Sequence, residues 1–224
     1  MNKVSIVIPV YNHLKMTIDC LQDVIKTYGV DTEIIVVDDG SKEPISRILP
    51  KLFPDIKVLK NDKNMGFAPT VNKGIRAASH DLICLLNNDI KLPNPGWLKI
   101  MLDSLDEFDL TAPAGGRMSD SWEYIPGEAK TQNEKFSYLV GWCLLIKKEV
   151  FDKIGLIPED FGKGFWEDVL FCYRAKQNGF KMGITENTQV QHAYHVTFKA
   201  EGFDLAKEYQ DKRKTFLEII KKEG

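Results

Sequence analysis

Cysteine is scarce in the 224-residue sequence, and its few thiols are scattered. Cys20, Cys84, Cys143 and Cys172 are widely separated and form no C-x-x-C pair. Most of them have apolar neighbours, which is typical of buried, reduced thiols in a cytosolic protein. We therefore expect neither disulfide bonds nor a zinc site.

The sequence also lacks an excess of charge and any long hydrophobic run. Thirty Lys and Arg residues face 32 Asp and Glu residues, and the formal net charge is −2. No global field would attract nucleic acid or an anionic membrane, so either partner would need a local basic patch. No run reaches the ~18 apolar residues of a membrane span, and no signal peptide precedes the first strand. We expect a cytoplasmic protein that could contact the inner face of a membrane peripherally.

Several common catalytic motifs are missing. The loop at 9–12 contains no glycine, so it is neither the G-x-G-x-x-G dinucleotide fingerprint nor a phosphate-binding P-loop. No G-x-S-x-G surrounds Ser5, and no cysteine has the setting of a catalytic nucleophile. These absences argue against dehydrogenases, kinases and hydrolases that form covalent intermediates.

Four apolar runs in the first half of the chain are typical of buried β-strands. The segments between them have helical spacing or turn residues, such as the amphipathic segment from Leu14 to Ile25. Strand and helix alternate four times with short connections, which predicts one Rossmann-like α/β domain with a mostly parallel sheet and flanking helices. The predicted strands are Val4–Val10, Glu33–Val37, Ile56–Leu59 and Leu82–Asn87.

The second half of the chain has a less regular pattern. Ala112 to Glu134 is rich in Gly, Ser, Pro and charge, shows no clear period, and is interpreted as a mobile loop over the site. The last segment, Leu205 to Lys222, predicts an amphipathic helix that packs on its own domain or rests on a membrane or partner. The other predicted elements are helices at Trp97–Leu105, Lys148–Ile154 and Val169–Gln177, and strands at Phe136–Ile146, around Met182 and at Val190–His195.

Carboxylates follow the predicted strands where open α/β sheets bind ligands. Asp38 and Asp39 end the second strand, Asp89 follows the fourth, and Glu167 and Asp168 precede a predicted helix. Loops at the carboxyl ends of neighbouring parallel strands converge, so we expect Asp38, Asp39 and Asp89 to line one cleft, which Glu167 and Asp168 could close. Grouped carboxylates repel one another, which favours a divalent cation and hence a phosphate-bearing substrate. Taken singly, each could instead be a turn residue or a helix cap.

Two histidines, His192 and His195, lie in the last predicted strand. A single histidine in a strand is more often a packed residue than a ligand, whereas two near one another are compatible with metal binding. The pattern leaves both interpretations open.

Five motifs, in this order and spacing, resemble the inverting family 2 glycosyltransferases. The resemblance covers about Lys3 to His195. The segment from Val140 to Gly155 is most similar to members that transfer rhamnose or similar sugars onto surface polysaccharides. The five motifs are VSIVIPVYN at 4–12, IIVVDDGS at 34–41, NMGF at 64–67 with NKG at 72–74, LLNND at 85–89, and FWEDV at 165–169 followed by Arg174 and Gly179.

The resemblance implies a glycosyltransferase A-type fold, a UDP- or dTDP-sugar donor, a divalent Mn²⁺ or Mg²⁺ ion and a carboxylate general base. Asp168 matches the catalytic aspartate, with Glu167 as the second candidate. Asp89 matches the last residue of the family's D-x-D motif, which here begins with two asparagines, and His192 is the candidate second metal ligand. The donor-binding residues that the resemblance implies are Pro9, Tyr11, Asn12, Asp38, Asp39, Asn64, Gly66, Asn72, Asn87 and Asn88.

The predicted organisation is a catalytic domain at 1–198 followed by the amphipathic helix at 199–224. Within the domain, 1–110 forms the nucleotide-sugar-binding half and 111–198 the small, antiparallel half for the acceptor and the base. The acceptor is a glycan, a lipid-linked glycan or a protein, with nucleic acid and the oligomeric state left open. Two other functions are weighed, a sugar nucleotidyltransferase and a catalytically silent sugar-nucleotide-binding protein. The first loop lacks the glycines and arginine of the former, and the Glu167-Asp168 pair argues against the latter.

Overall fold

Parallel strands and their connecting helices form the first half of the molecule. The structure is a computed structural model and describes residues 3–193 and 204–223. The runs at the centre of the sheet are buried on both faces, which explains why their sequences are continuously apolar instead of alternating. The first-half elements are β1 (Lys3–Val10), α1 (Leu14–Val24), β2 (Asp31–Asp38), α2 (Ile45–Leu52), β3 (Lys57–Lys60), α3 (Phe67–Ala77), β4 (Leu82–Leu86), β5 (Ile90–Lys91) and α4 (Trp97–Ser104).

The second half contains shorter strands and three more helices among the residues described. Its elements are β6 (Leu110–Ala112), β7 (Gly115–Met118), β8 (Tyr124–Ala129), β9 (Tyr138–Leu139), β10 (Cys143–Lys147), α5 (Lys148–Ile154), α6 (Glu167–Gln177), β11 (Met182–Ile184), β12 (Gln191–His192) and α7 (Leu205–Glu223).

Seven of the strands form one twisted sheet in the order β11-β6-β10-β4-β1-β2-β3. Only β10 runs antiparallel to its neighbours β4 and β6, so the predicted mostly parallel α/β fold is confirmed. Helix α3 packs closely on β1 and β2, because Gly74 brings the helix backbone against the sheet; a Cβ there would lie 2.3 Å from Val7 Cγ1. Because β2 and β4 both run parallel to β1, the carboxyl ends of these three strands lie at the same edge of the sheet.

The prediction of a mobile loop over Ala112 to Glu134 is wrong. Strands β7 and β8 form an antiparallel pair in this region, and β9 completes a three-stranded sheet. Gly115 and Gly116 begin β7 and supply no side chains, so the segment has no hydrophobic alternation to detect. A Cβ on Gly116 would lie 2.0 Å from Tyr138 Cζ, which shows that β7 packs through its backbone.

The predicted bounds of two strands differ from those in the structure, and one helix was missed. The single strand predicted at Phe136–Ile146 is divided into β9 and β10, which belong to different sheets and are separated by residues 140–142. No helix was predicted at Ile45–Leu52, where α2 follows Pro44 and contains Pro50. Of the strand predicted at Val190–His195, β12 is formed by Gln191–His192, and His195 lies outside the described residues.

Helix α7 packs against residues of the second half of the chain. Phe216 is fully buried and contacts Trp122, Trp166 and Tyr173 edge-on or tilted. Arg174 forms a two-point ion pair with Glu223 near the end of α7. Among residues 3–193 and 204–223, no helix has the length and apolar character that a membrane span requires.

Candidate active site

A cavity of about 890 Å³ lies where β4, the three-stranded sheet, α6 and α7 meet. It contains four residues predicted for the site, namely Asn87, Glu167, Asp168 and His192. Its aromatic wall is formed by Phe67, Tyr124, Tyr138, Trp142, Phe165, Trp166 and Tyr209.

The backbone before Asp168 is held in an unusual conformation. Phe165 and Trp166 have φ values of 71° and 75°, in the left-handed region that side-chain-bearing residues seldom adopt. The Trp166 ring is buried and its Nε1–H donates to Tyr209 O at 3.1 Å. Packing and this hydrogen bond therefore hold the turn that starts α6, and the turn directs Glu167 and Asp168 into the cavity.

Asp168 accepts two backbone hydrogen bonds. Gly141 N–H donates to Oδ2 at 3.2 Å and Val169 N–H donates to Oδ1 at 2.9 Å. Gly141 belongs to the break between β9 and β10, and a Cβ on it would lie 3.3 Å from Asp168 Cβ. The interruption of the predicted strand thus places a backbone donor against this carboxylate.

The two adjacent carboxyl groups have raised pKa values. Burial raises the pKa of Asp168 to about 6, although the hydrogen bonds from Gly141 and Val169 oppose the shift. Burial, followed by repulsion from Asp168, raises the pKa of Glu167 to about 8. Near pH 7 the pair therefore carries about one negative charge, with Asp168 ionised and Glu167 protonated. Asp168 can then accept a proton at neutral pH.

Asp89 and His192 meet because β5 pairs with β12. The register places His192 opposite Ile90, and Ala193 N–H donates to Asp89 O at 3.1 Å. His192 Nε2 lies 3.1 Å from Asp89 Oδ1, and both side chains are more than nine-tenths buried. The ring of Trp142 stacks on that of His192, with centroids 5.1 Å apart, and fixes its orientation.

The Asp89–His192 pair fits a divalent metal ion. Asp89 Oδ1 is buried, and none of the residues at 3–193 and 204–223 donates a hydrogen bond to it. Two ligand atoms on adjacent octahedral positions, each about 2.1 Å from one ion, are about 3 Å apart, which agrees with the observed separation. In the described part of the chain, no three or more His, Cys, Asp or Glu residues lie close enough together to hold a metal ion. Of the described residues, Asp89 and His192 would therefore supply ligands, and a substrate or water could complete the coordination.

The predicted donor-binding residues of the first two strands lie around the carboxyl ends of β1 and β2. Asn12 connects the two loops, since its N–H donates to Ser41 Oγ and its Oδ1 accepts from Lys42 N–H. Asp38 is fully buried; its Oδ1 accepts from Ser41 N–H, and its Oδ2 has no hydrogen-bond partner among the residues that the structure describes. Pro9 and Tyr11 are half-buried beside them. These residues form one cluster, which lies outside the lining of the cavity.

Asp39 organises the loop that precedes α3. Its carboxylate accepts hydrogen bonds from Asn61 Nδ2 and from the N–H groups of Met65 and Gly66, at 2.8 to 3.0 Å. Asn64 Oδ1 also accepts from Gly66 N–H. Gly66 has φ 95° and passes so close to Gly162 that a Cβ would lie 2.4 Å from Gly162 O. Asp39 and Gly66 therefore connect the end of β2 to the loop at Gly162, which leads to Glu167 and Asp168.

The side-chain amides of Asn72 and Asn88 form hydrogen bonds with other groups of the protein. Asn72 is buried; it donates to Ile157 O and Glu159 Oε1 and accepts from Ile157 N–H. This arrangement gives Asn72 a structural role between α3 and the segment after α5, away from the cavity lining. Asn88 Nδ2 donates to Thr17 Oγ1 of α1, and Asn87 lies in the cavity wall.

Residues 5–155 match the model of glycosyl transferase family 2, which is more than half of the chain. The chain belongs to this family. The matched residues include the clusters at the ends of β1, β2 and β4, whereas Glu167, Asp168 and His192 lie beyond them.

Relatives and solved structures agree with this assignment. An uncharacterized glycosyltransferase of Rickettsia bellii is 36% identical over 162 residues, which are 70% of this chain and 24% of that protein. Glycosyltransferase AglE of Haloferax volcanii is 25% identical over 194 residues, 80% of this chain and 63% of AglE. The chain thus spans from about a quarter to under two thirds of these two relatives.

The fold is similar to that of a mannosyltransferase from Pyrobaculum calidifontis, solved in complex with GDP-Man and Mn²⁺. The TM-score is 0.69 at 15% sequence identity, and the match covers 88% of this chain and 59% of the mannosyltransferase. At this identity the likeness shows the fold alone.

Several residues of the cavity could not be predicted from the sequence. Tyr124, Glu128 and Lys130 come from the region interpreted as a loop, and Tyr209 comes from the predicted C-terminal helix, to which no role in the site was given. Trp142 lies in the segment from Val140 to Gly155, but no role was predicted for it. Each reaches the site through the three-stranded sheet or the packing of α7, and these arrangements depend on contacts distant in sequence.

Proposed function

We propose that this family 2 glycosyltransferase transfers a sugar from a UDP- or dTDP-sugar to an acceptor hydroxyl, with inversion at the anomeric carbon and Asp168 as general base. The observation that carries the proposal is the position of Asp168. It is a partly buried carboxylate that lines the same cavity as His192 and Asn87, next to the Asp89–His192 pair. Glycan, lipid-linked glycan and protein acceptors are all compatible with this chemistry.

The base chemistry follows from the environment of Asp168. A sugar hydroxyl is a poor nucleophile near neutral pH, and a positioned carboxylate that takes its proton contributes about 10² to 10⁴ in rate. Burial raises the pKa of Asp168 to about 6, so the group is ionised at pH 7 yet more basic than an ordinary aspartate. Gly141 N–H and Val169 N–H orient its two oxygens. The acceptor hydroxyl then attacks from the face opposite the leaving diphosphate, which gives inversion.

The residues that would hold a divalent ion are Asp89 and His192. Such an ion, Mn²⁺ or Mg²⁺, supplies positive charge that stabilises the diphosphate as it leaves. Trp142 fixes the imidazole ring by stacking, and Ala193 N–H fixes the Asp89 backbone. The Pyrobaculum mannosyltransferase of similar fold contains both GDP-Man and Mn²⁺, which supports this pairing of donor and metal.

The donor nucleotide is assigned to the cluster at the ends of β1 and β2. Asn12, Asp38 and Ser41 form an interconnected group, and the buried Asp38 Oδ2 has no hydrogen-bond partner within the described part of the chain. An N–H group of the nucleobase could satisfy that oxygen. The short link through Gly66 and Gly162 would then couple nucleotide binding to the loop that carries the base.

Replacement of Asp168 by asparagine tests the function. With Mn²⁺ and a panel of sugar nucleotides, the wild-type protein should release nucleoside diphosphate, and Asp168→Asn should lose at least about 100-fold in that rate. Because asparagine preserves the shape, calorimetric affinity for UDP or dTDP should stay within about twofold of wild type. The matched control, Asp106→Asn, changes an exposed aspartate and should keep full activity.

The outcome distinguishes the alternatives. Near wild-type turnover in Asp168→Asn would remove this residue as the base, and Glu167→Gln would then be tested. Release of pyrophosphate in place of nucleoside diphosphate would indicate a nucleotidyltransferase. Binding of sugar nucleotides with no release in the wild-type protein would indicate a silent binding protein.

A further inference from the structure

Trp142 lies in the break between β9 and β10 and is attached to the end of β4. Its carbonyl oxygen accepts a hydrogen bond from Asn87 N–H at 2.9 Å, and the next residue, Cys143, pairs with Leu86 in the register of β10 against β4. Asn87 is two residues before Asp89. The backbone of Trp142 is therefore fixed relative to the strand end that carries the candidate metal ligand.

The indole ring of Trp142 covers one face of the His192 imidazole. The centroids of the two rings are 5.1 Å apart, and their planes differ by 20°. A metal ion binds an imidazole in the plane of the ring through a nitrogen atom, whereas stacking uses the face of the ring, so the two contacts are compatible. His192 Nε2 lies 3.1 Å from Asp89 Oδ1 in this orientation. The stack thus holds the imidazole at the angle at which Nε2 and Asp89 can share an ion.

The indole is in turn held by the end of β8. Trp142 Nε1–H donates to Glu128 Oε1 at 3.4 Å, and Lys130 Nζ lies 5.9 Å from the centre of the ring. Glu128 and Lys130 form an ion pair with a distance of 2.5 Å. The hydrogen bond and the cation–π contact restrict the indole more narrowly than apolar packing alone, because both depend on the orientation of the ring. Strand β8 is thereby connected to the candidate metal pair through Trp142.

Strand β12 by itself gives the His192 side chain little support. It consists of Gln191 and His192, and in the described part of the chain it pairs with the two residues of β5. A two-residue ladder fixes the backbone and does not by itself determine the two side-chain torsions of histidine. Outer contacts that orient a ligand histidine commonly change metal affinity by about tenfold to 100-fold. A ring stacked on the imidazole is suited to that task.

From these contacts we propose that Trp142 is a positioning residue for metal binding. It acts through His192, whose imidazole it holds opposite Asp89, and it connects that pair to Glu128 of the three-stranded sheet. The position of β8 and the affinity for the metal ion are consequently linked. The inference rests on the proposed function and assigns to the same site a residue that is not itself a metal ligand.

Mn²⁺ binding tests the inference without turnover. The electron paramagnetic resonance signal of free Mn²⁺ would give the Kd of the full chain for Mn²⁺, measured with UDP and, separately, with dTDP. Trp142→Leu removes the ring and should weaken Mn²⁺ binding about tenfold. Trp142→Phe retains a ring that can stack and should stay within about threefold of wild type.

The matched control for loss of an aromatic ring is Tyr124→Leu. Tyr124 lines the same cavity, but its ring packs against Tyr209 of α7, with centroids 5.3 Å apart. The Kd of Tyr124→Leu for Mn²⁺ should therefore stay within about twofold of wild type.

A double-mutant cycle distinguishes positioning from a general structural role. His192→Ala should weaken Mn²⁺ binding by about tenfold or more. If Trp142 acts through His192, the addition of Trp142→Leu to His192→Ala should change the Kd by less than about twofold, because the side chain to be positioned is already absent. Independent effects would instead multiply to about 100-fold.

The metal-free protein provides a second readout. The imidazole C–H proton resonance of His192 is assigned by its absence from the NMR spectrum of His192→Ala. It should lie upfield in the wild-type protein, because the imidazole stacks on the indole ring, and should move downfield in Trp142→Leu. Trp142→Phe should keep most of the upfield shift, so the stack can be measured even where Trp142→Leu does not fold.

Failure of this inference is separable from failure of the proposed function. Multiplicative effects in the double variant, Trp142→Phe binding as weak as that of Trp142→Leu, equal Kd values for Trp142→Leu and Tyr124→Leu, or a His192 resonance with no upfield shift would each overturn the role of Trp142. Absence of Mn²⁺ binding by the wild-type protein with either nucleotide would also overturn it. Nucleoside diphosphate release is measured separately, and its absence in a protein with the expected Mn²⁺ binding would count against the transfer reaction and leave the role of Trp142 standing.

Discussion

Glu167 and Asp168 are adjacent carboxyl groups whose burial opposes ionisation. The protein retains this unfavourable pair at a strained turn, where Phe165 and Trp166 have left-handed backbone conformations. Strain and buried charge both cost folding free energy, and such costs are concentrated at functional sites. The pair is therefore better explained by chemistry than by stability.

Glu167→Gln should stabilise the protein at alkaline pH. The pKa of Glu167 rises to about 8 in the folded state from an ordinary value of 4.5. Protonated Glu167 therefore contributes stability that is fully present below about pH 4.5 and is lost as the pH rises through about 8. Glutamine is neutral throughout, so at pH 9 the variant should exceed wild type by about 1 to 3 kcal/mol in free energy of unfolding, and at pH 4 the two should be nearly equal.

Urea denaturation at both pH values would measure this difference. Glu149→Gln is the matched control, because Glu149 also lies in the first turn of a helix but is exposed. It should show no gain at pH 9. A Glu167→Gln protein that is less stable than wild type at pH 9 would contradict the buried, high-pKa assignment.

The smallest sheet of the fold has the most direct effect on the site. Strands β5 and β12 contribute two residues each, yet their pairing brings His192 to Asp89 from a distant part of the chain. Neither strand has enough sequence to be recognised by pattern. The metal site proposed here thus depends on a tertiary contact between two very short elements.

His192→Ala should weaken the dependence on metal without unfolding the protein. Loss of one of the two ligands proposed among the described residues should raise the Mn²⁺ concentration for half-maximal nucleoside diphosphate release by about tenfold or more. His80→Ala is the control, since His80 precedes β4 at the opposite end of that strand. An unchanged Mn²⁺ requirement in His192→Ala, or full activity of wild type in chelator, would contradict the site and direct attention to Arg117 or Lys163.

The whole molecule includes α7 as an integral part of its core. Phe216 is buried among aromatic rings that include Trp122 and Trp166. Arg213 donates hydrogen bonds to the backbone carbonyls of Ser121 and Trp122. The helix therefore closes the cavity through Tyr209 and supports the turn before Glu167 through its contact with Trp166. Of the two alternatives left open by the sequence, packing on its own domain agrees with these contacts.

Phe216→Ala should cost about 3 to 5 kcal/mol in free energy of unfolding, because it removes a fully buried ring and leaves a cavity. Lys221→Ala, exposed in the last turn of α7, should change stability by less than about 0.5 kcal/mol. Truncation after Phe203 should likewise lower stability more than it lowers association with liposomes. Strong, salt-sensitive binding of the full chain to anionic liposomes, lost on truncation, would reverse that expectation.

Much of the fold could be predicted because its signals are local. Runs of β-branched residues in β1, β2 and β4 identify buried strands wherever they lie, and a polar residue directly after such a run lies at the sheet edge. Asp38, Asp39 and Asp89 were recognised for that reason, and the order of the motifs identified the family. The amphipathic period of α7 similarly predicted a helix.

Only the tertiary structure determined the contacts between residues that are distant in sequence. Gly141 N–H reaches Asp168 because the chain breaks between two sheets, and His192 reaches Asp89 because β12 pairs with β5. Strand β7 packs through glycine backbone, which leaves no side-chain pattern. The sequence by itself determined which segments are strands or helices and which family they form, since periodicity and side-chain shape act over a few residues. The cavity was determined by packing of α7 and β8 on the turn before Glu167, because burial and backbone hydrogen bonds there depend on the complete fold.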